Sequence, residues 1–380
     1  MRTDAVPASA SPGPKTRASQ ARKFSKRPQA GKASEAPFPG ESFLPGATAQ
    51  DSLVDRVKTF TGRVLKGFSS TREPAYKAAS GEHKVAVRYQ TVVDSERQRK
   101  IPMAVYYPKG MDEPGSSPVV VMSHGLAGNS ATYQYFGRHL ASHGYTVLQP
   151  THVGSDTNAV LTRTPVFTFT QSELKHRVED VKFTLDLVQN KDERLPKELT
   201  DSADMSKVAL AGHSFGAITA VAMAGVDVKD AEGRKLPLGD KRIDAFIAMS
   251  PYGDSLPSHL AGLDVETYHD IKKPILYLSG SKDGLFTLGK GPTVHNKPFE
   301  DTGSRDKYHV VIGGTRHAEF AQVIGLLDRR TVEMTESTST AFLDAHLKGQ
   351  SEAREYLTEQ LPAVARTRES WAFLGPCQQR

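Results

Sequence analysis

A single cysteine, Cys377, stands in the 380 residues, which excludes an intramolecular disulfide framework and a cysteine-based metal cluster. Long apolar runs are missing as well. Stretches such as Pro118–Met122 are strand-length, far short of the 18 or more residues of a membrane span. Neither H-x-H nor H-E-x-x-H spacing occurs, so the chain lacks the usual ligand sets of a metal hydrolase. What is present looks globular. Hydrophobic residues make up 38% and glycines number 31, a composition able to build a core, and the length suits one large domain or two modest ones.

Charge of one sign is absent from most of the chain. The net charge is +6, but residues 1–50 hold eight Lys or Arg against three acids and so account for +5 of it. The remaining 41 basic and 40 acidic residues nearly cancel, and the body has no nucleic-acid-binding character. The first 50 residues are rich in Pro, Ser, Ala and Gly, with Phe24, Phe38, Phe43 and Leu44 as the large apolar side chains. Such a segment cannot bury enough surface to offset its ordering entropy and is expected to be a disordered basic arm. It has no apolar h-region of a signal peptide, which favours the cytoplasm. In the next stretch, 51–72, Leu53, Val54, Val57, Phe60, Val64, Leu65 and Phe68 recur at helical spacing. An amphipathic helix and linker are expected, packing on the body, a membrane surface or a partner.

From residue 83 apolar or β-branched runs recur, at His83–Val93, Ile101–Tyr107, Pro118–Ser123, Tyr145–Pro150, Lys207–Gly212, Ile243–Ser250, Pro274–Ser279 and Lys307–Ile312. The middle ones are almost wholly apolar, as strands covered on both faces should be. Between them Thr132–His143, Ser172–Asn190, Phe215–Gly225, His317–Leu327 and Glu333–Leu347 carry helical periodicity. The alternation predicts an α/β fold, a mostly parallel eight-stranded sheet with helices on both faces. The first two strands, joined by the turn Asp94–Arg97, should pair antiparallel. This opening fits an α/β-hydrolase sheet over residues 73–380. Insertions fall at Thr151–Gln171, Asp227–Arg242 and Tyr252–Ile271. The first and third leave strand ends and are the candidates for pocket walls or a lid, because ligands bind outside the carboxyl ends of such strands, whereas the second follows a helix.

One motif carries chemistry. Gly212-His213-Ser214-Phe215-Gly216 follows the strand VALA and opens the helix FGAITAVAMAG, the setting of a nucleophile elbow. A serine hydroxyl is a poor nucleophile near neutral pH and needs a base and a group to orient it. His317, in the Gly-rich loop after HVVIGG, is the expected base, while His346 reads as a surface residue. Asp283, after ILYLSG, is the expected acid, with Asp254 as its competitor. The oxyanion hole should use the backbone N–H groups of Phe215 and Leu126, the latter in His124-Gly125-Leu126-Ala127-Gly128. His124 reads as a structural histidine that hydrogen-bonds the loop. Tyr133 and Tyr252 are candidates for substrate binding or core.

The order SHGLAG, GHSFGA, GSKD, GTRH resembles a serine α/β-hydrolase. More narrowly the chain is similar to the group of bacterial predicted dienelactone hydrolases and platelet-activating-factor acetylhydrolase-like esterases. Three further stretches carry that likeness: Thr151–Ser155, the run Arg177–Asp186 (RVEDVKFTLD), and the closing FLDAHLKGQSEAREYL. The resemblance spans roughly residues 83–357. It implies hydrolysis of a small-molecule or lipid-like carboxylic ester, no metal or other cofactor, and a monomer or homodimer. Dienelactone hydrolases use a cysteine where Ser214 stands here, which argues against dienelactone as substrate. The same constellation also serves thioesterases, amidases and acyltransferases. A hydrolase-shaped scaffold whose basic arm binds an acidic partner is the non-enzymatic alternative.

Overall fold

Alternation inside the apolar runs decides which face of the sheet each side chain serves. The computed structural model describes residues 76–361 and 371–374, apart from 112, 163–168, 231, 286–293 and 323–327. The arm, the amphipathic stretch at 51–72 and Cys377 lie outside the described residues, as do parts of the first insertion and of the helix expected over His317–Leu327. The strands are β1 (Val85–Asp94), β2 (Arg99–Pro108), β3 (Ser117–Ser123), β4 (Thr146–Pro150), β5 (Ala203–His213), β6 (Ile243–Met249), β7 (Ile275–Gly280), β8 (Lys307–Ile312) and β9 (Trp371–Leu374). They form one sheet in the order β1-β2-β4-β3-β5-β6-β7-β8-β9. From β4 to β8 the neighbours run parallel. Antiparallel pairings close both ends, β1 with β2 and β2 with β4 at one, β8 with β9 at the other. All eight expected strands are there, and the fold is that of an α/β-hydrolase. The ninth strand was not legible in the sequence.

Val119, Val121, Val208, Leu210, Phe246 and Tyr277 point to one face, where they pack with helices over Gln171–Gln189 and Phe215–Ala224. Val120, Met122, Ala209, Ala211, Ile247 and Leu278 point to the other, against helices over Gln134–Ser142 and Arg329–His346. We number these helices in chain order: α1 (Gln134–Ser142), α2 (Gln171–Gln189), α3 (Phe215–Ala224) and α4 (Arg329–His346). Each large aliphatic side chain buried in this way stabilises the fold by about 1.5–3 kcal/mol relative to exposure. Helix α3 is apolar all round and buried from Phe215 to Met223, as a helix wedged in a core should be. No helix of the described residues is long and apolar enough to cross a membrane.

Two local signals work as chemistry requires. The Asp94 carboxylate accepts from the N–H groups of Glu96 and Arg97 at 3.1 Å each, and so makes the turn between β1 and β2. Thr170 caps α2 through the N–H of Glu173 at 3.1 Å. Helix α4 starts at Arg329, earlier than its apolar pattern suggests, because Asp328 caps it and buried Thr331, Thr335, Ser337, Thr338, Ser339 and Thr340 supply much of its inner face. His346 is corrected from a surface residue to a partly buried one: its ring lies 4.8 Å from Phe342 and 5.7 Å from Tyr308, at centroids. The second and third insertions meet each other through a bridge between Val228 and Leu263.

Candidate active site

The turn from β5 into α3 holds Ser214 at φ +55°, ψ −116°. A non-glycine residue there stores about 1–3 kcal/mol of strain, which the surrounding structure must hold. The flanking glycines are needed for space. A Cβ on Gly212 would lie 2.0 Å from the Gly216 oxygen, and one on Gly216 would lie 1.9 Å from the Ser123 oxygen. The elbow is therefore pressed against its own helix and against the end of β3. The backbone N–H of Ser214 is fixed to the Met249 oxygen at 3.0 Å.

His317 and Asp283 meet after β8 and β7. Nδ1 of His317 lies 3.0 Å from Oδ1 and 3.2 Å from Oδ2 of Asp283, and both side chains are buried. Burial alone would raise the Asp283 carboxyl, but the rings of His295 and His317 at its oxygens outweigh it and hold it far below the usual carboxylate range. Nε2 of His317 faces the Tyr252 hydroxyl at 3.3 Å. Burial pushes that phenol well above the usual range, and the Ser214 side chain nearby opposes the rise. Tyr252 thus touches both the candidate nucleophile and the candidate base. The competitor Asp254 instead takes a hydrogen bond from His259 at 2.7 Å, on the exposed side of its loop.

The loop after β3 packs against Ser214, since a Cβ on Gly125 would lie 3.2 Å from the Ser214 Cβ. The Tyr133 hydroxyl accepts from the Gly125 N–H at 3.2 Å and meets His213 Nδ1 at 2.7 Å. Tyr133 therefore supports this loop from below, buried. Ala127 bonds through its N–H to Ser155, and Gly128 to Gly125. The N–H groups of Leu126 and Phe215 have no acceptor among the described residues, the condition for donors kept for a developing oxyanion.

Beneath the loop lies a buried polar network. Arg177 donates to the His124 carbonyl at 2.7 Å, to Ser123 Oγ at 3.2 Å and to Ser155 Oγ at 3.0 Å, and its guanidinium lies 4.3 Å from the Phe215 ring centroid. Burial pushes the guanidinium down to about 9, so it remains charged at neutral pH. His124 donates from Nδ1 to Gly125 and accepts the His152 N–H at Nε2, matching its expected structural part. His152 donates from Nδ1 to Asp180 at 3.0 Å and lies 3.0 Å from Ser123 Oγ through Nε2. Burial pushes His152 down to about 4. Asp180 falls to about 2 because His152 and Arg99 outweigh its own desolvation.

Sequence reasoning missed two members of this region. His213 lies between Tyr133 and His317, with ring centroids 4.7 Å apart from the latter. Burial first, then the His317 ring, holds it well below the ordinary histidine value. His295 places Nε2 3.2 Å from Asp283 Oδ1, and no motif surrounds it. Its one available signal was its position between β7 and β8, on the side of the sheet where Asp283 also lies. Among the described residues no group of three His, Cys, Asp or Glu side chains is arranged to hold a metal ion.

Comparisons with known proteins agree with this architecture. A chlorophyllase family model matches residues 76–251, a range that includes Ser214 and ends before Asp283 and His317. Platelet-activating factor acetylhydrolase from Bos taurus is 24% identical over 278 residues, covering 60% of this chain and 57% of that protein. Cutinase est2 from Thermobifida alba is 24% identical over 224 residues, covering 56% of each. The chain thus spans little more than half the length of these curated relatives. In fold and in these similarities, the chain resembles the serine α/β-hydrolase superfamily.

Proposed function

We propose that residues 73–380 form a serine hydrolase that cleaves a carboxylic ester through an acyl-enzyme. The observation that carries this reading is the pairing of Asp283 with His317 Nδ1 at 3.0 Å, which leaves Nε2 of the same ring facing the Tyr252 hydroxyl at 3.3 Å, a hydroxyl that also interacts with the Ser214 side chain. The carboxylate fixes the tautomer in which Nδ1 carries the proton and Nε2 has its lone pair free. Ser214 Oγ then attacks the acyl carbonyl as its proton passes to His317 Nε2, and Asp283 stabilises the imidazolium. The carbonyl oxygen takes the negative charge and is held by the Leu126 and Phe215 N–H groups at the positive end of α3. Collapse expels the alcohol, which receives the proton from His317. Water repeats the sequence on the acyl-serine and restores the enzyme. Leu126 and Tyr252 stand where a substrate would approach, and Tyr133 acts from beneath them. The acetylhydrolase and the cutinase among the relatives support an ester as substrate, small or lipid-like.

Hydrolysis of p-nitrophenyl esters from acetate to palmitate, by wild type and Ser214→Ala, tests the reading. Turnover should fall by roughly three orders of magnitude or more in the variant. Full activity in Ser214→Ala would mean another nucleophile. A folded wild type that ignores every ester but cleaves a thioester or an amide would move the chemistry to that class. Inactivity on all three would favour the scaffold alternative.

A further inference from the structure

Tyr252 brings one more hydroxyl to the reacting atoms. Its side chain is buried, and its oxygen lies 3.3 Å from His317 Nε2 with the Ser214 side chain nearby. The loop after β6 is braced to hold it there. The Tyr252 carbonyl accepts from the Tyr268 hydroxyl at 2.8 Å and from Ser258 Oγ at 3.2 Å. On either side, the Pro251 carbonyl accepts from His295 Nδ1, and the Gly253 N–H donates to the Val294 oxygen at 3.3 Å. Ser250, where the loop leaves the strand, sits at φ +51°, a left-handed conformation that a non-glycine residue keeps only when its surroundings enforce it. The phenol is thus fixed in one place by its own backbone.

A hydroxyl both donates and accepts, so Tyr252 can face Nε2 whether that nitrogen holds a lone pair or a proton. The leaving oxygen of an ester must come within reach of the same nitrogen to take its proton. It also shares the acyl carbon with Ser214 Oγ. A group beside both Nε2 and Ser214 therefore borders the leaving oxygen. We propose that Tyr252 is a catalytic residue whose hydroxyl donates a hydrogen bond to the leaving oxygen, which equips the site for esters of alkyl alcohols. The proposal rests on the esterase reading above. As the intermediate collapses, the bond from acyl carbon to leaving oxygen breaks and its electron pair goes to that oxygen. The proton on His317 Nε2 follows, and the alcohol departs. Tyr252 gives no proton away. Burial, which pushes its phenol well above the usual range, favours this. In the second half the attacking water stands where the alcohol left and meets the same hydroxyl. An alkoxide gathers its charge on one oxygen, where a charge-assisted hydrogen bond is strong. A p-nitrophenolate spreads the charge into its ring and departs with little help.

The test compares kcat/KM, which reports acylation, for ethyl acetate and p-nitrophenyl acetate with wild type and Tyr252→Phe. The substitution removes the hydroxyl and keeps the ring, and thermal unfolding checks the fold. Ethyl acetate should lose about tenfold or more, and p-nitrophenyl acetate less than about threefold. Equal losses on the two esters overturn the proposal, because a displaced His317 alone would give them. Two unchanged esters overturn it as well. If Tyr252→Phe does not fold, Tyr252→3-fluorotyrosine keeps nearly the same shape and makes a stronger donor. It should raise kcat/KM for ethyl acetate relative to p-nitrophenyl acetate by about twofold or more, and an unchanged ratio overturns the proposal. Wild type inactive on both esters would sink the esterase reading and this proposal with it. Wild type active on both, with the ratio unmoved in the variant, sinks the proposal alone.

Discussion

At the residue scale, the side chains around Ser214 divide into those that would touch a substrate and those that hold them. Arg177 belongs to the second kind. It is fully buried, it donates to the His124 carbonyl just ahead of Gly125 and Leu126, and it lies under the Phe215 ring. It therefore braces both candidate oxyanion donors with one planar, charged group. Lysine keeps the charge and loses the fork that reaches several acceptors at once. Arg177→Lys should lower kcat by about tenfold or more while KM for p-nitrophenyl acetate changes little, because misplaced donors are felt mainly in the transition state. A rise in KM at unchanged kcat would instead place Arg177 in ground-state binding. That Arg177 sits on a helix was legible from the sequence, as was Ser214, because the elbow is a local device written in five consecutive residues. The approach of His295 to Asp283 was not. It depends on a carbonyl and a carboxylate brought to it by two other loops.

At the scale of elements, α4 shows how burial competes with charge. Glu336 sits in this helix with a side chain only 15% exposed, 3.7 Å from His139 Nδ1. Burial pushes its carboxyl up to about 7, with Glu333 adding to the effect, and burial holds His139 at about 3, so the pair gains little as an ion pair. The sign follows from proton binding. The folded state holds the Glu336 proton more tightly than the unfolded chain, so stability falls as pH rises from the ordinary value of 4.5 to about 7, and the cost is constant above that. Glu336→Gln should raise stability above pH 7 by on the order of 2 kcal/mol and change it little at pH 4. Thermal unfolding at the two pH values checks this, and equal effects at both would contradict it. The sequence reading started this helix late for a related reason. Buried threonines and serines do not register as an apolar stripe, although in the fold they pack like one.

At the scale of the whole molecule, distant segments converge on buried carboxylates. Asp344 in α4 accepts from Tyr145 at 2.6 Å, Tyr76 at 2.9 Å, Lys77 at 2.5 Å and Lys348 at 3.1 Å. Burial opposes its ionisation, but Lys348 and Lys77 outweigh that and keep its carboxyl below the usual range. Asp180, at about 2, plays a similar part between β2 and the loop after β4, through Arg99 and His152. Both carboxylates bind protons less tightly when folded. Their contribution to stability is therefore complete above the ordinary value near 4 and is lost as pH falls toward 2. The melting temperature should drop steeply below pH 4. Asp344→Ala should lose about 2–3 kcal/mol at pH 7, because it leaves the half-buried Lys348 without its counter-charge and the buried Tyr145 hydroxyl without its acceptor, and should flatten the acid dependence. Guanidinium unfolding of wild type and variant at pH 7 and pH 3 would reveal it. A variant as pH-sensitive as wild type would place the acid transition elsewhere.

The sequence by itself determined the parallel centre of the sheet, the antiparallel opening pair, the elbow at Ser214 and the positions of His317 and Asp283 at strand ends. These features follow from short-range rules: unbroken apolar runs for strands covered on both faces, a glycine-flanked turn from strand into helix, and loops that leave the carboxyl ends of parallel strands. The tertiary structure alone decided the ninth strand, the meeting of the second and third insertions, and the support of the Leu126 loop by Tyr133 and Arg177. It alone brought His295 to Asp283. Each of these depends on groups far apart in the chain that must find a partner once buried, and hydrogen-bond and charge satisfaction in a low-dielectric interior is settled by three-dimensional neighbours.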